Sequence, residues 1–75
     1  MDFSTRIGFN LPSEQNARLT IFNIAGQIVY QKDIGGQIGY NEIVIEKSEL
    51  NATGVLQYRL DTRDNSATKR MVVIE

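Results

Sequence analysis

Cysteine and histidine are both absent from this 75-residue chain. Without cysteine there is no disulfide framework and no thiolate to bind a metal. Without histidine the usual proton shuttle near neutral pH and the commonest metal ligand are missing. Neither sign of charge dominates, because eight Lys and Arg stand against nine Asp and Glu, a net charge of −1. That balance gives no counterion-release drive toward nucleic acid and no polybasic attraction to anionic lipid. No apolar run approaches the roughly 20 residues that a membrane span needs. Met1-Asp2-Phe3-Ser4-Thr5 lacks the basic region and apolar core of a signal peptide. The reading preferred here is a single domain over 1–75, cut from a longer chain, with Met1 as an added start.

What the chain does contain is strand pattern. Hydrophobic residues make up 41% of it, enough for one small core and too much for a disordered tail. At this length folding buries roughly 60% of the unfolded surface, so stability is marginal. The organising stretch runs from Leu19 to Tyr30. Its arms, Leu19 to Asn23 and Gln27 to Tyr30, are β-branched and aromatic, and Ala25-Gly26 supplies the break between them. A hairpin so apolar must be covered by other strands.

Those strands are legible on both sides. Arg6 to Leu11 alternates, with Ile7, Phe9 and Leu11 on one face, and Pro12 ends it. Ser13-Glu14-Gln15-Asn16 reads as a polar turn and Gly35-Gly36 as a second chain break. Tyr40 to Lys47 puts Asn41, Ile43 and Ile45 on one face. Ser48 to Gly54 is not a strand: Ser48 caps one helical turn, Leu50 plugs the core and Gly54 releases the chain. Val55 to Thr62 places Leu56, Tyr58 and Leu60 together, and Arg63 to Ser66 forms a hairpin tip. The last strand, Ala67 to Ile74, has Met71 and Val73 inward, although Val72 and Ile74 are apolar too. Short strands separated by polar turns at a spacing of about ten residues predict an antiparallel β-sandwich. Six strands are predicted, with a seventh, N-terminal one, trimmed away or supplied by a preceding domain, as the less favoured alternative.

Reactive chemistry is scarce. The serines, Ser4, Ser13, Ser48 and Ser66, fall in turns and strand ends with no base to activate them. Glu46 with Glu49, and Asp61 with Asp64, flank turns rather than apolar pockets and read as solvated surface. The glycines form no phosphate-cradling pattern, and no calcium loop is present. Asn51-Ala52-Thr53 matches a glycosylation triplet, a three-residue pattern common by chance. These residues name no catalytic role, and neither an enzyme nor a cofactor is expected. Arg59, Arg63, Lys69 and Arg70 crowd the final hairpin. They read either as partners of Asp61 and nearby carboxylates or as docking charge for an acidic partner.

The order of these motifs resembles the C-terminal sorting domain of cargo carried by the type IX (Por) secretion system. The similarity begins in Phe3-Ser4-Thr5 and in Arg6-Ile7-Gly8-Phe9-Asn10-Leu11-Pro12, and runs through Leu19 to Val29 and Gly39 to Ile45. It continues in Leu50, Thr53-Gly54-Val55 and Tyr58-Arg59-Leu60, and closes in Ala67 to Val73. Leu56-Gln57 stand where the family usually has an aromatic, and Glu75 where a lysine is common. The resemblance implies an immunoglobulin-like sandwich of six to seven strands at the end of a larger exported protein. It implies a covalently linked N-terminal passenger, passage through the periplasm, and a secreted or cell-surface destination. The outer-membrane translocon and its shuttle proteins would be the partners. The residues they would read are Gly54, Val55, Lys69, Arg70, Met71, Val72, Val73 and Ile74, with Arg59 and Arg63 as docking charge. The alternative is an adhesive immunoglobulin-like module that self-associates through exposed strand edges, as a weak dimer.

Overall fold

Alternation along the chain becomes six strands and one helical turn in the computed structural model. It describes residues 4–50, 54–63 and 65–73, with residues 69–73 described through their backbone alone. The elements are β1 (Ser4–Leu11), β2 (Gln15–Asn23), β3 (Ile28–Gly36), β4 (Gly39–Glu46), α1 (Lys47–Leu50), β5 (Gly54–Thr62) and β6 (Ser66–Val73). They form two antiparallel sheets, β1-β4 and β3-β2-β5-β6. The sheets face each other across Ile7, Ile43 and Ile45 on one side and Leu19, Ile21 and Leu56 on the other, with Leu50 at the end. This is the all-β sandwich that the alternation predicts. The inward faces agree as well: Leu19, Ile21 and Ile45 lose all contact with solvent, while Phe9, Tyr58 and Leu60 are half-buried around them.

The β2–β3 turn spans Ile24 to Gln27, with Gly26 at φ 85°. Asn23 organises it: its Oδ1 accepts from the backbone N of Ala25 and of Gln27, both at 3.0 Å. The Asn23 Nδ2 donates to Gln27 Oε1 at 2.9 Å. One side chain thus satisfies a whole turn, a common use of asparagine.

Three local expectations are corrected. Gln15 and Asn16 belong to β2 rather than to a polar turn, and Gln15 is buried at 8% exposure. Its amide is satisfied there, because Nε2 donates to Ser13 Oγ at 3.2 Å and Oε1 accepts from Arg63 N at 3.2 Å. A polar residue with its hydrogen bonds met can sit in a strand that composition alone assigns to a turn. Gly35-Gly36 does not break the chain; it closes β3, opposite Asn16 and Gln15. Gly36 is buried with the Leu11 side chain lying where a Cβ would project. The glycine therefore serves a close approach, and the chain reverses at Gln37–Ile38 instead.

The third correction is at the helical turn. Ser48 lies inside α1, and the capping contact comes from Glu49, whose Oε1 accepts from Glu46 N at 3.3 Å. A carboxylate three residues into the turn reaching back in this way is half of a capping box. Leu50 is 2% exposed and plugs the core as predicted. The Asn51-Ala52-Thr53 triplet lies outside the described residues.

Candidate recognition surface

The closing ribbon is β5 with β6. Gly54 opens β5 at φ 93°, a left-handed conformation that costs an ordinary residue about 1–2 kcal/mol. Along β5, Leu56, Tyr58 and Leu60 turn toward the core while Val55, Gln57 and Arg59 face solvent. β5 is an internal strand, with β2 on one side and β6 on the other. Among the described residues β6 pairs with β5 alone, in the register Gly54↔Val73, Val55↔Val72, Leu56↔Met71, Gln57↔Arg70, Tyr58↔Lys69. Half of its backbone hydrogen-bonding groups accordingly point away from the sheet. At the tip, Thr62 N donates to Asn65 O at 2.8 Å and Asn65 N to Thr62 Oγ1 at 3.2 Å.

The ribbon gathers most of the residues predicted for recognition. Gly54 and Val55 pair directly with Val73 and Val72, and Lys69, Arg70 and Met71 follow along the same strand. Ile74 lies outside the described residues, as do the side chains of 69–73, so the inward facing predicted for Met71 and Val73 falls there too. Arg63 is not brought to this end. It follows the tip pair Asp61↔Ser66, seven residues from Gly54↔Val73, or about 24 Å at the usual strand rise.

Arg59 is already engaged. Its Nε donates to Asp61 Oδ2 at 2.9 Å, and its guanidinium lies 5.7 Å from the centroid of Phe22. The pairing runs along the strand rather than across it, because Arg59 and Asp61 are two residues apart on the same face. Asp61 also accepts from Ser66 Oγ at 2.7 Å. The Ser66 hydroxyl first, then Arg59, hold the Asp61 carboxyl below the usual carboxylate range. On the neighbouring strands Arg18 grips Asp33 with two hydrogen bonds, Nε to Oδ1 at 2.6 Å and Nη2 to Oδ2 at 3.1 Å. That grip lowers the Asp33 pKa. Among the described residues, the outer face of the larger sheet therefore carries paired charge, Arg18 with Asp33 and Arg59 with Asp61. A carboxylate that served as an acid at neutral pH would need the opposite shift.

An apolar patch that strand alternation did not single out lies at the Gly54 end of this face. Phe22 pairs with Ile28 across β2–β3 and with Gln57 across β2–β5, which puts Phe22, Ile28 and Val55 on one surface. Ile28 is 61% exposed, Val55 45%, and Ile24 in the adjoining turn 84%. The signal was present in the sequence, since Phe22 and Ile28 are apolar at positions out of phase with Leu19 and Ile21. A depression of about 690 Å³ sits at the opposite end and is lined by Glu14, Gln15, Asn16, Gly35, Gly36, Gln37 and Arg63. It holds no nucleophile beside a base, and among the described residues no cluster of three potential metal ligands forms.

The model of the secretion system C-terminal sorting domain family matches residues 4–74, almost the whole chain. No curated protein and no solved structure matches it.

Proposed function

Because the chain belongs to the type IX secretion C-terminal sorting domain family, we propose that its β5–β6 ribbon is the part gripped by the outer-membrane machinery. A type IX sorting tail marks a secreted or cell-surface protein that is attached to a passenger and exported across the outer membrane. In the finer reading, the translocon and its shuttle proteins recognise Gly54, Val55 and the strand from Lys69 to Ile74. The observation that carries this is the position of β6 at the margin of the four-stranded sheet, bonded on one side only. Such an edge can add a receptor strand through main-chain hydrogen bonds, with side chains setting register. Lys69 and Arg70 are the register charges in this scheme. Arg59, held by Asp61 and Phe22, supports the ribbon rather than the partner.

The test fuses residues 1–75 behind a signal peptide and a fluorescent reporter, in hosts with and without the type IX machinery. Export that depends on the machinery supports the reading. Alanine at Lys69 and Arg70 together should then retain the reporter in the periplasm, and undiminished export of that variant removes the charges from the mechanism. The apolar patch of half-buried Phe22 with exposed Ile24, Ile28 and Val55 favours the adhesive alternative, which equal retention in both hosts would support.

A further inference from the structure

Only one face of the larger sheet is used by the core. Leu19, Ile21 and Leu56 point toward β1, β4 and Leu50, and among the described residues nothing packs on the opposite face. Paired residues share a face, so the register sets the outer side chains in rows. Asp33, Arg18 and Asp61 form one row across β3, β2 and β5. Gln31, Thr20 and Arg59 form the next, and Ile28, Phe22 and Gln57 the one after. Exposed Val55 on β5 and exposed Ile24, in the turn after β2, complete the face. Charge is thus gathered at one end and apolar surface at the other, and an apolar patch rimmed by polar groups marks a contact site.

We propose that a second copy of this chain covers this face, the two larger sheets stacking about a two-fold axis that runs along the strands between β2 and β5. Such an axis keeps each row at its own level and lays β2 of one copy over β5 of the other. Arg18 then faces Asp61 of the second copy, Asp61 faces its Arg18, and Ile24 faces its Val55. Thr20 faces Arg59 and Phe22 faces Gln57, so along these central strands no charge meets its like. Turning the second copy end for end would instead set Ile24 and Val55 against Arg18 and Asp61. The complementarity therefore selects one orientation of the two.

Stacked sheets keep their strands within about 30° of each other, and the reach of an arginine side chain spans the offset this leaves at the ends. Arg18 already holds Asp33, and Arg59 holds Asp61, so every charge covered by the contact keeps a partner and none is buried alone. The strands are eight or nine residues long. At about 4.8 Å between strands and about 3.3 Å per residue, the face measures roughly 500 Å². Two such faces cover about 1,000 Å², the lower limit for a specific contact, so the dimer is weak and reversible. Stacking leaves the β3 and β6 margins open, and the inference does not rest on the sorting role.

Sedimentation equilibrium of the 75-residue chain tests the proposal. The apparent mass should rise from one copy toward two as the protein approaches millimolar concentration. Ile24→Lys and Val55→Lys replace side chains that already face water, and each should weaken the dimer at least about tenfold. Arg18→Asp and Asp61→Arg should each weaken it as well, yet an equimolar mixture of those two variants should associate again, because each offers the charge that the other lacks. A chain that stays monomeric throughout overturns the proposal. So does a dimer that survives both lysine variants, which assigns association to the strand edges, and so does a mixture that associates no better than its components. If the charge variants do not fold, the lysine variants decide. Export is not the readout, so failure here leaves the sorting function standing, and loss of sorting leaves this result interpretable.

Discussion

Gly35 and Gly36 are adjacent and chemically identical, yet alanine should act oppositely at the two positions. At Gly35 a Cβ would meet nothing within 4 Å, and the backbone is not left-handed. Alanine there trims the freedom of the unfolded chain and should stabilise by about 0.4–1 kcal/mol. At Gly36 the new methyl falls onto Leu11 Cδ1 and comes within 3.0 Å of the Gln15 carbonyl oxygen. Leu11 is 5% exposed, so it cannot swing out to solvent without surrendering its burial. Overpacking of this kind costs about 1–3 kcal/mol, against the same entropic gain, for a net loss of about 1–2 kcal/mol. Urea titration is the assay. With a slope near 1 kcal/mol per molar for a domain this small, the midpoint should fall by about 1–2 M for Gly36→Ala and rise by about 0.4–1 M for Gly35→Ala. Leu11→Ala costs about 2–4 kcal/mol by itself. In that background the cost of Gly36→Ala should shrink to what the Gln15 carbonyl contact alone imposes, because the methyl then fills the space left by Leu11. Equal midpoints for the two alanine variants, or a Gly36→Ala cost undiminished without the Leu11 side chain, would refute the packing argument.

Asn23→Ala removes the acceptor shared by Ala25 N and Gln27 N; the expected loss is about 1–2 kcal/mol, read as a thermal midpoint lower by about 4–8 °C per kcal/mol. Asp33 and Asp61 have pKa values lowered in the folded state by the Arg18 grip and by the Ser66 hydroxyl with Arg59, respectively. A depressed folded pKa means the unfolded chain takes up protons first as pH falls. The stability these carboxylates supply is therefore present above the unfolded value, about 3.9, and is lost on descending from there through the folded values. Urea midpoints measured from pH 7 to pH 2 should fall across that window, and Arg18→Gln should flatten the part due to Asp33; an unchanged acid profile in Arg18→Gln would show that the ion pair is not coupled to folding.

Alternation reports which face a residue takes, and it did so well here. Ile7, Ile43, Ile45, Leu19, Ile21 and Leu56 were all assignable to the core from period-two spacing, and all are buried. Turn chemistry was legible at Ala25-Gly26 and at Gly54 for the same local reason, that only certain residues relax in those backbone conformations. Where the chain reading went astray, a distant contact had overruled composition. Gln15 is a turn residue by type, but the Arg63 amide, 48 positions later, satisfies its buried carbonyl. Gly36 is a breaker by type, but Leu11 requires its missing side chain. The ribbon proposed for recognition was singled out by resemblance and by charge, while the apolar patch at Phe22, Ile28 and Val55 emerged only when three strands were set side by side.

By itself, then, the sequence determined that this is a strand-dominated domain without cysteine or histidine, which aliphatic residues form its core, and the family whose pattern it follows. Only the tertiary structure decided that β1 pairs with β4 and β2 with β5, and that β6 stands at a sheet margin. The physical reason is that side-chain period is a property of one strand, whereas a pairing partner is chosen among edges whose backbone groups are chemically alike. That choice is settled by loop closure and by which faces can be buried together, and both are properties of the whole chain.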